Sequence, residues 1–127
     1  MRPLLLAISE LGGYPDFSSL YSRLGYEVLK ESSMRKAMSI IRKREPAVIV
    51  AEFNFQSDFR DRTSSLESMM SVVQRLEKIH TIIFYDKEYQ HQFDRLLQRH
   101  PFYQTFTFPI PESGLESCLE KLFQATK

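Results

Sequence analysis

Ala47-Val48-Ile49-Val50-Ala51, followed at once by Glu52, is the stretch on which the fold turns. Five apolar residues run without alternation, and the three in the middle are β-branched. A strand exposed on one face would alternate, so this run belongs to a strand covered on both faces, in the middle of a parallel sheet. Glu45-Pro46 stands just before it, and the proline closes whatever helix precedes.

Working outward, the same kind of run recurs at residues 4–8 (Leu-Leu-Leu-Ala-Ile) and 81–85 (Thr-Ile-Ile-Phe-Tyr). Residues 26–30 alternate poorly around Val28. Residues 105–108 (Thr-Phe-Thr-Phe) alternate with period two, which suits a sheet edge. Each run leads into a segment with apolar residues three and four apart. Phe17, Leu20, Tyr21 and Leu24 share one helix face, with Asp16 as a candidate N-cap and Gly25 as the stop. Met34, Ala37, Met38 and Ile41 share another after Ser32-Ser33. A polar stretch at 56–63 precedes Ser64-x-x-Glu67, a capping box before Leu66, Met69, Met70, Val73 and Leu76. Asp86 is a candidate cap for a helix with Tyr89, Phe93, Leu96 and Leu97 inward, stopped by Pro101. Ser113-x-x-Glu116 is a second capping box, before Leu115, Cys118, Leu119, Leu122 and Phe123.

Five strand-helix units imply an α/β fold, and right-handed crossovers reduce the topologies to a doubly wound (βα)5 sandwich. The expected sheet is parallel, five-stranded and of flavodoxin-like order 2-1-3-4-5, with any site at the carboxyl ends of strands one and three. At 127 residues, one domain spanning 1–127 is expected.

Composition excludes several functions. Seventeen basic against sixteen acidic residues give a net charge of +1, which offers nothing to draw in nucleic acid. The apolar start at 4–8 is too short for a signal peptide or membrane span, and Cys118 is the only cysteine, so a cytoplasmic, reducing setting is expected. His80, His91 and His100 show no metal-ligand spacing. No strand leads into a glycine-rich phosphate loop; Gly12-Gly13 alone is too short a signal.

Three features, in order and spacing, resemble the CheY-like response-regulator receiver family: Leu24-Gly25-Tyr26-Glu27-Val28 entering strand two, Glu45-Pro46-Ala47-Val48-Ile49-Val50 at strand three, and Phe108-Pro109 after strand five. Receivers accept a phosphoryl group on an aspartate at the end of strand three, with Mg²⁺ held by that group, by acids after strand one and by a nearby backbone carbonyl. The resemblance places Glu52 at the phosphoacceptor position and Asn54 at the carbonyl position. The adjacent acids fall on Ile8-Ser9 or, shifted by one, on Ser9 and Glu10, so at most Glu10 survives. The family's Ser or Thr after strand four falls on Tyr85, its Lys after strand five on Phe108, and its switch aromatic on Thr105. Pro109 keeps the proline whose preceding bond is commonly cis in the family.

The resemblance thus implies a degenerate pseudo-receiver. Glutamate moves the attacking oxygen by more than a bond length, and in-line transfer tolerates little misplacement, so a loss of about 100-fold or more is expected. Phe108 supplies no cation to a phosphoryl group. Glu10 and Glu52 are expected as solvated carboxylates rather than a Mg²⁺ site, Tyr85 and Phe108 as side chains that fill the old pocket, and Glu52 as a fixed charge. No cofactor, metal, membrane or nucleic-acid partner is expected, nor catalysis. The expected function is phosphorylation-independent protein binding in two-component-type signalling. The expected surface spans the fourth helix, fifth strand and fifth helix, about 88–123, and serves a signalling partner or a homodimer. Two alternatives are a weakly phosphorylatable receiver and a small-molecule sensor using the carboxyl-end cleft.

Overall fold

The computed structural model describes residues 2–9, 15–53, 65–76 and 78–125. Glu10, Gly12-Gly13, Asn54, the 56–63 stretch and Ser64 lie outside the described residues. The strands are β1 (Leu4–Ile8), β2 (Glu27–Glu31), β3 (Val48–Glu52), β4 (His80–Tyr85) and β5 (Gln104–Thr107). The helices are α1 (Ser18–Arg23), α2 (Met34–Arg44), α3 (Ser65–Val73), α4 (Gln90–Arg99) and α5 (Glu112–Ala125), with a 3₁₀ turn at Lys87–Tyr89 before α4. The five strands form one parallel sheet of order β2-β1-β3-β4-β5. This is the doubly wound, flavodoxin-like arrangement expected from the sequence, with β3 in the centre and β5 at an edge.

Two apolar layers flank the sheet because strand side chains alternate. Leu5, Val48, Val50, Ile82 and Phe84 face α1 and α5, against Leu20, Tyr21, Leu115, Leu119 and Leu122. Leu6, Ile8, Ile49, Ala51, Ile83 and Tyr85 face α2, α3 and α4, against Met34, Ala37, Ile41, Leu66, Met69 and Phe93. All five residues of β3 are buried, which is why its sequence shows no alternation.

The ends of the elements carry the chemistry expected of them, with three shifts. Ser33 caps α2 by accepting the Lys36 amide at 3.3 Å, and Asp86 accepts the Glu88 amide at 2.9 Å to start the 3₁₀ turn. Asp16 accepts the Ser18 amide at 2.9 Å, although the residue flanking the helix is Phe17. Gly25 ends α1 at φ +106°. Ser113 is not a cap: α5 begins at Glu112, directly after Pro111, so the serine sits inside the first turn. Phe108 lies outside β5, whose ladder ends at Thr107 opposite Tyr85.

Candidate functional site

The register of the central strands determines what meets at their carboxyl ends. Ile8 of β1 lies beside Ala51 of β3, so Ser9 and Glu52 are the next pair along. Both are an even number of residues beyond side chains on the α1 and α5 face, namely Ala7 and Val50, so both turn to that face. The Ser9 hydroxyl donates to Glu52 Oε2 at 2.8 Å. The Ser9 amide donates to the Glu31 carbonyl at 3.0 Å, which ties this turn to β2. Two positions singled out from the sequence are thus brought into direct contact across 43 residues of chain.

Glu52 is buried, at 7% exposure, which corrects the expectation of a solvated carboxylate. As the last residue of β3 it is still inside the sheet, opposite Phe84 of β4, and Phe53 beyond it is tied by its amide to the Phe84 carbonyl at 2.8 Å. A carboxylate there loses water, and a hydroxyl donor replaces part of that hydration.

A cavity of about 250 Å³ opens beside this pair on the α1 side of the sheet. Its walls are Ala7, Ile8, Val50, Ala51 and Phe84 from the strands and Pro15, Phe17 and Tyr21 from the start of α1; Ser9, Glu52, Asp16 and Lys30 supply its polar groups. Lys30 Nζ lies 3.1 Å from Asp16 Oδ2, and both side chains are largely exposed. The Ser18 hydroxyl and amide, with Lys30, hold the Asp16 carboxyl down at about 2. Burial, and then the Asp16 charge, push the Tyr21 hydroxyl well above its usual range.

Tyr85 and Phe108 part company. Tyr85 is buried in the opposite layer, stacked on Phe93 at a centroid distance of 4.3 Å, and its hydroxyl donates to Gln90 Oε1 at 2.9 Å. Phe108 is 46% exposed, so it does not fill a pocket with Tyr85, which corrects that expectation. Alternation is the reason: Phe84 turns toward the cavity and Tyr85 away from it. The Phe108 amide donates to the Tyr85 carbonyl at 2.9 Å, and the Phe108-Pro109 bond is cis. Thr105 sits within β5 opposite Ile83, half-buried.

Among the described residues, the strand ends bring few of the donors that Mg²⁺ asks for. That ion asks for near-octahedral oxygen donors, and Ser9 and Glu52 bring one hydroxyl and one carboxylate. Among the described residues no group of three or more His, Cys, Asp or Glu could hold a metal, and no helix is long and apolar enough to cross a membrane.

The chain matches no protein-family model and no curated protein sequence. Solved structures do resemble it. A response regulator receiver domain protein from Clostridium thermocellum superposes with a TM-score of 0.75 at 12% identity, covering 98% of this chain and 96% of the other. A response regulator from Desulfuromonas acetoxidans gives 0.69 at 15% identity, covering 100% of both chains. The receiver domain of the Francisella response regulator 1452 gives 0.70 at 14%, covering 99% of this chain and 100% of the other. At these identities the likeness establishes the fold, which is that of receiver domains.

Proposed function

We propose that this chain is a receiver-type signalling module that works without phosphoryl transfer, by binding another protein. The observation that carries this reading is the Ser9-Glu52 contact: the position that would accept a phosphoryl group holds a buried glutamate already engaged by a hydroxyl at 2.8 Å. Two further features support it. The position that would supply a cation is Phe108, and Lys30, the lysine that lines the neighbouring cavity among the described residues, is paired with Asp16. Among the described residues, a phosphoryl group placed there would meet carboxylate repulsion with little to offset it.

In this role Glu52 is a permanent charge at the carboxyl end of β3, and the module is a binding surface rather than a catalyst. The partner face is the one formed by α4, β5 and α5. Arg95, Glu120 and Lys121 are exposed on it, as are the rings of Tyr103 and Phe108, the latter two at 45% and 46%. Exposed aromatic rings among charged residues are the composition expected of a protein-binding surface. Its occupant is a signalling protein or a second copy of the chain.

The test is a backbone amide NMR titration with Mg²⁺ and then beryllofluoride, a mimic of the phosphoryl group. Amides of Ser9, Glu10, Glu52 and Asn54 are expected to stay in place at millimolar ligand. Saturable shifts there, spreading into β5, would mean a receiver that is still phosphorylatable.

A further inference from the structure

We propose that the outer face of α2 is a docking site for a short acidic segment of a partner protein. Five of the seventeen basic residues of the chain stand on this one helix of eleven residues: Arg35, Lys36, Arg42, Lys43 and Arg44, all exposed. The helix itself holds no acid. Of the acids flanking it, Glu27 of β2 pairs with Arg44 at 3.1 Å and Glu31 accepts the Ser32 and Ser33 amides, which leaves Glu45 beyond the last turn. Arg35, Lys36, Arg42 and Lys43 have no ion pair among the described residues. Residues seven apart fall on nearly the same line of a helix, so Arg35 with Arg42 and Lys36 with Lys43 form two rows, each about 10.5 Å long. Ser39, half-buried, lies between the rows and puts no bulk there.

Placement against the helix dipole separates this face from an ordinary solvated terminus. Cations in a last turn offset the partial negative charge of the helix end, and Arg42, Lys43 and Arg44 stand there. Arg35 and Lys36 stand in the first turn, where the end is already positive and carboxylates are preferred; α2 has none there. Two charges that work against their own helix mark a surface used by something else. Size and charge select the occupant. The rest of the chain carries twelve basic and sixteen acidic residues, so a long polyanion laid across the molecule meets repulsion beyond α2. A segment no longer than the rows escapes it, because charges are screened over about 8 Å at physiological ionic strength. Nucleic acid binds through many phosphate contacts, and a membrane surface through inserted apolar side chains as well as charge; the α2 face offers four such cations and no exposed apolar residue. Carboxylates match arginine forks, and glutamates three apart in an extended chain repeat at about 10 Å, the length of the rows. Since α2 packs on β1 and β2, this surface lies toward the opposite edge of the sheet from α4, β5 and α5, and it goes beyond the function proposed above.

The probe is the capped peptide Gly-Glu-Glu-Gly-Glu-Glu-Gly, with a counterpart carrying Gln for every Glu, titrated into the full chain and followed by amide NMR. At about 20 mM salt, saturable shifts are expected at Arg35, Lys36, Ser39, Arg42 and Lys43, with a Kd of about 1 mM. Raising the salt to about 300 mM should weaken binding by at least about fivefold. Arg35→Gln with Lys36→Gln, and separately Arg42→Gln with Lys43→Gln, should each weaken it by about fivefold or more. Arg44→Gln should stay within about twofold of wild type, because that guanidinium is held by Glu27. All these positions are exposed, so the variants should keep the fold. The proposal is overturned if no α2 amide shifts saturably below about 10 mM, if the Gln peptide binds as tightly, or if either double variant binds like wild type. Engagement of the same amides as tightly by a short DNA duplex, or by vesicles of phosphatidylcholine and phosphatidylserine at about three to one, overturns it too, since the face would then serve nucleic acid or a membrane.

Discussion

Replacing Ser9 by alanine isolates the contact on which the site depends. The mutation removes one hydroxyl that donates at 2.8 Å to a buried carboxylate and leaves the backbone bond from Ser9 to Glu31 in place. Hydrogen bonds to charged groups contribute about 1.5–3 kcal/mol. Ser9 itself is exposed, so water can take the place of the lost hydroxyl and the upper part of that range does not apply. The expected loss is about 1 kcal/mol, or about 3–5 °C in Tm for a chain of this length. Urea unfolding followed by circular dichroism should show a midpoint lower by about 0.5 M, with an unchanged slope. Ser9→Thr keeps the hydroxyl and should recover most of the loss. A double-mutant cycle with Glu52→Gln should give a coupling of about 0.5–1 kcal/mol. Should Ser9→Ala unfold with wild type and the coupling fall below about 0.3 kcal/mol, the contact holds nothing in solution, and the account of Glu52 as a positioned charge fails with it.

Gly25→Ala should destabilise by about 1–3 kcal/mol, because φ is +106° and a Cβ there would come within 2.8 Å of the Phe123 ring; adding Phe123→Ala should relieve the steric part and leave the dihedral part, and a neutral Gly25→Ala would show that the α1 to β2 turn is not held as described. Asp16 should titrate near 2 by carboxyl ¹³C NMR, against an ordinary 3.8. Its folded pKa is depressed, so its small stabilising contribution is present above the ordinary value and fades as pH falls from 3.8 toward 2. Asp16→Asn should remove that part of the acid sensitivity, and a midpoint near 3.8 would contradict the Ser18 and Lys30 contacts.

Most of the fold was legible in the chain because it rests on burial, and burial leaves a period. The unbroken 47–51 run marked a strand covered on both faces, and the handedness of crossovers then left one economical strand order. Where local pattern and backbone accounting disagreed, backbone accounting won. Alternation extended the last strand to Phe108, but Pro109 has no amide to carry the ladder on. Ser113 looked like a cap, but Pro111 and Glu112 already suit a helix start. At the site, Glu52 and Ser9 were identifiable as positions, whereas the bond between them was not, because register between strands 43 residues apart has no local signal. Parity could have hinted at it: Ser9 and Glu52 each stand two residues beyond an apolar side chain on the same face. The same count, applied to Phe84 and Tyr85, would have shown that Tyr85 and Phe108 do not share a pocket. A cleft at the carboxyl ends of strands one and three was expected, but its lining was out of reach, since that depends on how residues 15–17 lie over the strand ends.

The scaffold and the strand-end residues answer to different constraints, and Glu52 is where the two collide. Ser9 and Phe108 lie just beyond the last residue of a strand, in exposed positions, so exchanging their side chains alters chemistry with little effect on packing. Glu52 lies within β3 and is buried, where an apolar residue of similar volume would be the less costly occupant. A residue that breaks the local rule while its strand keeps every other apolar position marks a place where charge is used. The proposed function uses that charge as a fixed feature of a protein-binding module. Glu52→Leu therefore separates stability from function: with Ser9→Ala beside it, the fold should be retained or strengthened, while whatever reads the charge is lost.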